Sequence, residues 1–150
     1  MSENKYDILS DIEHTLQRPD TYIGNINNTN KECFTANNTE KRIIKKIINY
    51  NAGFFKIISE ILSNAIDNFI RSINTKTKCD VIKIDISHDE ISVYNNGMVI
   101  PLDKMTVENK DYYLPNIIFG MFKSGSNFND NEYRYGTGRN GLGAKLTNIY

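Results

Sequence analysis

Four residues with carboxylate or carboxamide side chains share one face of a predicted helix: Glu60, Asn64, Asp67 and Asn68. Their spacing places them within one sector of a helix that turns by about 100° per residue. A glutamate can act as a general base toward water, and an asparagine one turn away offers Mg²⁺ a neutral oxygen ligand. A solvated helix face would give the same stripe. The chemical interpretation gains support because asparagine and aspartate lower stability in the middle of a helix.

A second polar group, Asn95-Asn96-Gly97, follows a predicted strand. Such residues are typical of turns, and a turn alone would explain the segment. A side-chain amide at a strand end can also hydrogen-bond the polar edge of a nucleobase in an apolar pocket. The residues by themselves leave both interpretations open.

A glycine-rich segment runs from Gly136 to Lys145. It contains the spacing G-x-G-x-x-G, but no predicted strand leads into it, which argues against a Rossmann motif. A Walker A loop is disfavoured because Ala144 and Lys145 stand where that loop needs Lys and then Ser or Thr. Small residues still allow backbone N–H groups to close around phosphates, and Lys145 adds positive charge. A flexible surface loop is the alternative.

The elements around these groups combine helices and strands. From Ile43 the signal becomes strong, because apolar residues recur at helical spacing from Phe54 to Ile70, which predicts the buried stripe of a long helix. Residues 81–86 and 91–94 predict a β-hairpin that ends at Asn95. Weaker patterns predict a helix over Asp7–Leu16, an extended or turning piece over Arg18–Gly24, a loop or weak hairpin over 25–42, a polar connection between Pro101 and Pro115, a helix over Asn116–Lys123 and a helix start at Ala144.

The composition excludes several classes of protein. The 150 residues hold 18 Lys+Arg and 18 Asp+Glu, so the formal net charge is zero. This excludes a surface that binds nucleic acid over its whole area, although not a local basic patch. Two cysteines, Cys33 and Cys79, are too few for a disulfide framework or a metal cluster. Without an apolar run of about 18 residues or a signal peptide, we expect a soluble, intracellular protein of at most one domain.

Together and in this order, these segments resemble the ATPase domain of type IIA DNA topoisomerases, within the GHKL superfamily. The resemblance favours the eukaryotic and large-virus form over bacterial gyrase, and it leaves only residues 25–51 largely unmatched. The matching segments are Ile12–His14, Arg18–Gly24, Glu60–Asn68, Asn95–Gly97, Ile100–Pro101, Leu114–Pro115, Ile117–Gly120, Ser126–Asn127 and Gly138–Asn148.

The resemblance implies an α/β fold, the GHKL or Bergerat two-layer sandwich in which a mixed β-sheet is backed by helices. It implies an N-terminal dimerisation arm over residues 1–24 and a partial ATPase domain over residues 25–150. The family's later strands, its transducer domain and its DNA-cleavage core are absent from these residues. We therefore expect a C-terminally incomplete fold, as in an N-terminal portion of a larger enzyme or a shortened relative.

By position, the resemblance makes Glu60 the general base that activates water on the γ-phosphate and Asn64 a ligand of Mg²⁺. Asn95 takes the place of the residue that contacts the adenine amino group. Tyr22 takes that of an arm aromatic that reaches the partner subunit's nucleotide. The other implied nucleotide-binding residues are Asp67, Asn68, Ser126, Asn127 and the lid residues Gly138, Arg139, Asn140, Gly141, Leu142, Gly143, Ala144 and Lys145.

Two positions depart from the family pattern. Val99 stands where the family usually has glycine, so close backbone approach to the adenine is not implied there. Gly125 replaces a common serine and removes one hydroxyl contact. Neither departure touches the pair Glu60 and Asn64.

ATP and Mg²⁺ are the ligands that the resemblance implies. It implies a topoisomerase in which ATP binding and hydrolysis drive clamp closure of a homodimer for double-strand passage. DNA would be bound mainly by the absent domains, no membrane would be involved, and this fragment alone would not cleave DNA. The alternative is a truncated GHKL module that binds nucleotide or a protein partner without turnover. The expected location is the nucleus of a eukaryotic cell, or the host cell or virion for a viral protein.

Overall fold

The structure is a computed structural model that describes residues 6–125 and 141–150. It divides into two compact units, residues 1–56 and 57–150. The elements are α1 (Asp11–Gln17), α2 (Pro19–Tyr22), β1 (Asn28–Asn37), β2 (Arg42–Asn51), α3 (Ala52–Ser72), β3 (Ile82–Ile86), β4 (Ile91–Asn95), β5 (Lys104–Val107), β6 (Lys110–Tyr113), α4 (Leu114–Gly120) and α5 (Gly143–Ile149).

In the first unit, α1 begins at a capping box. The Ser10 hydroxyl accepts a hydrogen bond from the Glu13 amide, and the Glu13 carboxylate accepts one from the Ser10 amide at 2.9 Å. These reciprocal bonds satisfy two amides that a helix start leaves without partners. The predicted helix over Asp7–Leu16 thus exists but begins four residues later than its apolar pattern indicated.

The segment Arg18–Gly24 was predicted as an extended or turning piece, and within it Pro19–Tyr22 forms the one-turn helix α2 rather than extended chain. Proline is well suited to a first helical position, where its missing N–H needs no partner. The Ile23 amide closes the turn on the Pro19 carbonyl at 2.8 Å. Pro19 does end α1, as predicted.

The segment predicted as a loop or weak hairpin belongs to a long hairpin, β1–β2, with ten residues in each strand. The Asn37 side chain accepts hydrogen bonds from the amides of Thr39 and Glu40 and so shapes the connecting turn. Asn49 donates to Asn30, its direct cross-strand neighbour, at 2.8 Å. The asparagines concealed these strands because asparagine is generally depleted in β-structure.

The long helix predicted over Phe54–Ile70 is confirmed as α3. Its apolar stripe is less buried than predicted: Ala65 is buried, but Ile66 and Phe69 are exposed. Two hydrogen bonds of α3 lead to neighbouring elements: Asn68 bonds to Asn95 at the end of β4, and the Ile57 carbonyl accepts from Thr147 of α5. The helix is thus held at polar groups as well as by its apolar side chains.

The predicted hairpin β3–β4 is confirmed as an antiparallel pair in which Ile82 lies opposite Asn95. The connection predicted between Pro101 and Pro115 contains a further hairpin, β5–β6. Its turn residues Glu108 and Asn109 have φ angles of 50° and 64°. Positive φ at both positions is typical of a type I′ turn, which was hard to predict because its sequence is Glu-Asn rather than Asn-Gly.

Helices α4 and α5 match the predicted short helices to within a few residues. They contribute the buried side chains of Ile117, Ala144 and Leu146. In the described part of the chain the strands form three separate two-stranded antiparallel sheets. No helix within those residues is long and apolar enough to span a membrane.

Candidate functional site

The polar face of α3 contains the four acidic and amide residues predicted to do chemistry. Asn64 is exposed, Glu60 and Asn68 are half-buried, and only 5% of Asp67 is exposed. Phe69, two residues later, is 42% exposed. A carboxylate more buried than a phenylalanine on the same helix is unusual, since aspartate is mostly exposed in proteins. At Asp67 this face therefore points into the protein, whereas at Asn64 it is open to solvent.

The turn after β4 meets this face through a side-chain hydrogen bond. The Asn68 amide nitrogen donates to Asn95 Oδ1 at 2.5 Å and to the Met98 carbonyl at 3.1 Å. Two residues that were predicted separately, 27 positions apart in the chain, are thus brought into direct contact. The segment is a turn, and its first residue also lies beside the polar face of α3. The contact of Asn95 with a nucleobase stays a prediction.

Asn96 and Gly97 have structural reasons for their identities. The Asn96 side-chain oxygen accepts hydrogen bonds from the amides of Asp80 at 3.1 Å and Val81 at 3.0 Å, which fastens the end of β4 to the start of β3. A Cβ on Gly97 would lie 2.7 Å from Asn68 Nδ2 and 2.8 Å from Cys79 Cβ. Only glycine fits without displacing these neighbours.

Glu60 lies against the first residue of α5. A Cβ on Gly143 would overlap the Glu60 carboxylate and stand 2.8 Å from its Cδ. The glycine thus allows the start of α5 to approach the side chain predicted to be the general base. This contact brings Gly143, from the described end of the glycine-rich segment, to the polar face of α3.

Lys145 is placed differently from a simple surface lysine. Its side chain is only 4% exposed, and its ammonium donates a hydrogen bond to the Ser124 carbonyl at 2.7 Å. Burial lowers the pKa of this ammonium below its ordinary value, because the charged form loses hydration. The structure therefore places the Lys145 ammonium inside the protein, against the Ser124 carbonyl.

Tyr22 belongs to the first unit, where its hydroxyl and His14 Nδ1 are hydrogen-bonded at 2.8 Å. The two rings also meet edge to face, with 5.7 Å between their centroids. His14 fell within a matching segment but was not predicted to pair with Tyr22. A spacing of eight residues across a helix break gives no periodic signal for such a contact.

Residues 50–149 match the family model described as "Histidine kinase-, DNA gyrase B-, and HSP90-like ATPase". The chain belongs to this ATPase family. Among curated proteins it is 44% identical to DNA topoisomerase 2 top-2 of Caenorhabditis elegans over 151 residues, which cover 99% of the chain and 10% of the relative. It is 43% identical to DNA topoisomerase 2 of Drosophila melanogaster, with the same two coverages. The chain thus spans about a tenth of these relatives' length.

The chain is also similar to solved structures of topoisomerase II regions. The ATPase region of Saccharomyces cerevisiae topoisomerase II matches with a TM-score of 0.85 and 38% identity, over 96% of this chain and 37% of that one. The ATPase and transducer domains of DNA topoisomerase II from Balamuthia mandrillaris match with a TM-score of 0.87 and 37% identity, over 100% of this chain and 37% of that one. The predicted α/β fold of the GHKL type is confirmed.

Several predicted site residues of this ATPase-family chain lie outside the described residues, namely Ser126, Asn127, Gly138, Arg139 and Asn140. The rest of the predicted lid is described: Leu142 precedes α5, and Ala144 is buried within it. Of the two departures from the family pattern, Val99 is 86% exposed, so its side chain fills no space in the protein. Gly125 is exposed as well.

The residues present fit a magnesium ion that takes most of its ligands from phosphates and water. No group of three or more His, Cys, Asp and Glu side chains that could hold a metal occurs in the described ranges. Mg²⁺ usually needs only one or two protein ligands when it binds together with phosphates. The exposed Asn64 amide, one turn from Glu60, suits that arrangement.

The sequence did not indicate that Ser72 and Cys79 support the turn after β4. Ser72 is fully buried, accepts a hydrogen bond from the Cys79 amide at 2.7 Å and donates one to the Phe69 carbonyl at 2.9 Å. Cys79 in turn packs against Gly97. A serine in the last turn of a helix is common, so no signal in the sequence distinguished this one.

Proposed function

We propose that this chain is the ATP-binding and ATP-hydrolysing part of a type II DNA topoisomerase. The observation that carries the proposal is the meeting of three separate segments at one helix face: Asn95 contacts Asn68, and Gly143 contacts Glu60. In a chain of this ATPase family, that arrangement supports a site in which a base-reading amide, a general base and the start of a lid lie at the same helix.

Glu60 is proposed as the general base. Its half-buried carboxylate lies one helical turn from Asn64, so it can accept a proton from a water molecule beside a bound phosphate chain. Partial burial favours this role, because fewer competing waters surround the carboxylate. Bound Mg²⁺, held on the protein side by Asn64, would neutralise phosphate charge.

Asn95 is proposed to contact the adenine amino group, and the segment Gly138–Lys145 to enclose the phosphates. Asn95 stands at a strand end and its amide is held from behind by Asn68. The Lys145 ammonium already lies within the protein, where a phosphate would be a far better partner than a neutral carbonyl. Asp67 and Asn68 complete the polar face around the nucleotide.

The wider activity follows from the same similarity. We propose that ATP binding closes a homodimer through the arm of residues 1–24, that Tyr22 reaches the partner subunit's nucleotide, and that residues 25–150 form the ATPase part. DNA strand passage would be carried out by other parts of the enzyme, which suits a chain with zero formal net charge. A nuclear location is proposed for a cellular protein of this kind.

Replacement of the proposed base tests the assignment. The chain should release phosphate from ATP in the presence of Mg²⁺, and Glu60→Gln should reduce kcat by about 100-fold or more while nucleotide binding persists. Glu90→Gln, in the exposed turn between β3 and β4, is the matched control and should leave kcat unchanged. If Glu60→Gln kept the parent kcat, the base would be wrongly assigned. Nucleotide binding without turnover by the parent chain would support a binding module instead.

A further inference from the structure

The Asn68 side chain uses both amide hydrogens within the protein. One bond goes to Asn95 Oδ1 at 2.5 Å and the other to the Met98 carbonyl at 3.1 Å. A carboxamide nitrogen carries two hydrogens, so these two bonds exhaust its donors. Asn68 therefore has no N–H left for a nucleotide, although its sequence position made it a predicted contact.

The Met98 carbonyl determines the orientation of the side-chain amides of Asn68 and Asn95. A carbonyl oxygen can only accept, so the Asn68 atom that faces it must be the nitrogen. That nitrogen faces Asn95 at the same time, and the Asn95 atom opposite it must therefore be the oxygen. The chain of bonds from Met98 through Asn68 to Asn95 has a single polarity, whereas an isolated asparagine amide can turn over without changing its shape.

The backbone around this chain of bonds is itself fastened. Asn96 binds the amides of Asp80 and Val81, and Gly97 passes so close to Asn68 that a methyl group would not fit between them. The Met98 carbonyl follows directly after these two residues. The acceptor that sets the polarity thus follows a residue, Asn96, whose bonds to Asp80 and Val81 do not involve Asn68.

We propose that Asn68 is a positioning residue, which keeps Asn95 Oδ1 in place as an acceptor and so selects purines with a 6-amino group over those with a 6-oxo group. The inference rests on the proposed function, in which Asn95 meets the edge of the base. One lone pair of Asn95 Oδ1 is used by Asn68, and the second can accept a hydrogen bond from an adenine amino group. A 6-oxo purine would bring an acceptor against this acceptor.

Binding of ATP and ITP tests the role of Asn68, because the two nucleotides differ only at the edge of the base. Calorimetry with Mg²⁺ should show that the parent chain prefers ATP by about tenfold or more. Asn68→Leu removes the donor and frees the Asn95 amide to turn, so the ATP preference should fall several-fold. Asn68→Asp can only accept, which draws the Asn95 nitrogen toward position 68 and should shift the ratio furthest toward ITP. Asn74→Asp, an exposed control after α3, should keep the parent ratio.

The ratio of the ATP affinity to the ITP affinity separates a positioning role from a general loss of structure, because a general loss weakens the binding of both nucleotides alike. An unchanged ATP to ITP ratio in Asn68→Leu and Asn68→Asp, with ATP binding intact, would overturn the role of Asn68 and leave the proposed function standing. Absence of binding of either nucleotide to the folded parent chain would instead overturn the proposed function and the selectivity with it. Side-chain amide NMR of the nucleotide-free chain adds a direct readout: the Asn68 amide protons should be protected from exchange, and solvent-like exchange of both would overturn the proposal.

Discussion

Gly143 and Glu60 lie so close together that the glycine has no space for a side chain, since a Cβ would stand 2.8 Å from Glu60 Cδ. The contact joins the first residue of α5 to the polar face of α3. It also limits the space in which the Glu60 carboxylate can turn. A side chain at the start of α5 would therefore require either α5 or the Glu60 side chain to shift.

Gly143→Ala should disturb this contact. Either α5 or Glu60 must move to admit the methyl group, so we expect a loss of about 1–3 kcal/mol in the free energy of unfolding and a lower rate of ATP turnover. Urea denaturation and phosphate release measure the two effects. Gly120→Ala is the matched control, because a Cβ there meets nothing within 4 Å. Parent-like stability and turnover in Gly143→Ala would contradict the contact.

Ser72→Ala should destabilise the turn after β4, which Ser72 supports through Cys79. The change removes the acceptor of the Cys79 amide and leaves that buried N–H unsatisfied, at a cost of about 1–3 kcal/mol in the free energy of unfolding. Ser63→Ala, on the same helix but only half-buried, should cost about 0.5 kcal/mol or less. Equal urea midpoints for the two variants would show that Ser72 does not support Cys79.

Lys145 should give the stability a pH dependence. Because burial lowers its pKa in the folded chain, the unfolded chain binds more protons between that lowered pKa and the ordinary lysine pKa of about 10.4. The contribution of Lys145 to the free energy of unfolding should therefore rise with pH through that window and level off above it. Urea denaturation of the parent and Lys145→Met from pH 8 to about pH 10.5 isolates the effect. A difference between the two that does not change with pH would refute the burial of the ammonium.

The strongest elements were predictable because their patterns are local. Helix α3 repeats apolar residues over several turns, and strand β3 alternates isoleucine with charged residues. In β1 and β2 the asparagines masked the alternation, and the Glu-Asn turn between β5 and β6 carries no common turn signature. Local patterns fail where the pairing partner, rather than residue preference, stabilises a strand.

The site was predictable as a set of residue types but not as a set of contacts. The spacing of Glu60, Asn64, Asp67 and Asn68 on one face follows from helix geometry alone. The bond between Asn68 and Asn95 depends on where β4 ends relative to α3, and the contact of Gly143 with Glu60 depends on where α5 packs. Such long-range relationships leave no periodic trace in the sequence.

Calorimetric titration of the chain with a non-hydrolysable ATP analogue and Mg²⁺ tests nucleotide binding most directly. We expect saturable heat with one nucleotide per chain, and weaker binding after Asn95→Ala, which removes the amide proposed to meet the adenine. Asn74→Ala is the control and should bind like the parent. Absence of heat at millimolar analogue, with a chain that unfolds cooperatively in urea, would contradict the proposal that this is an ATP-binding site.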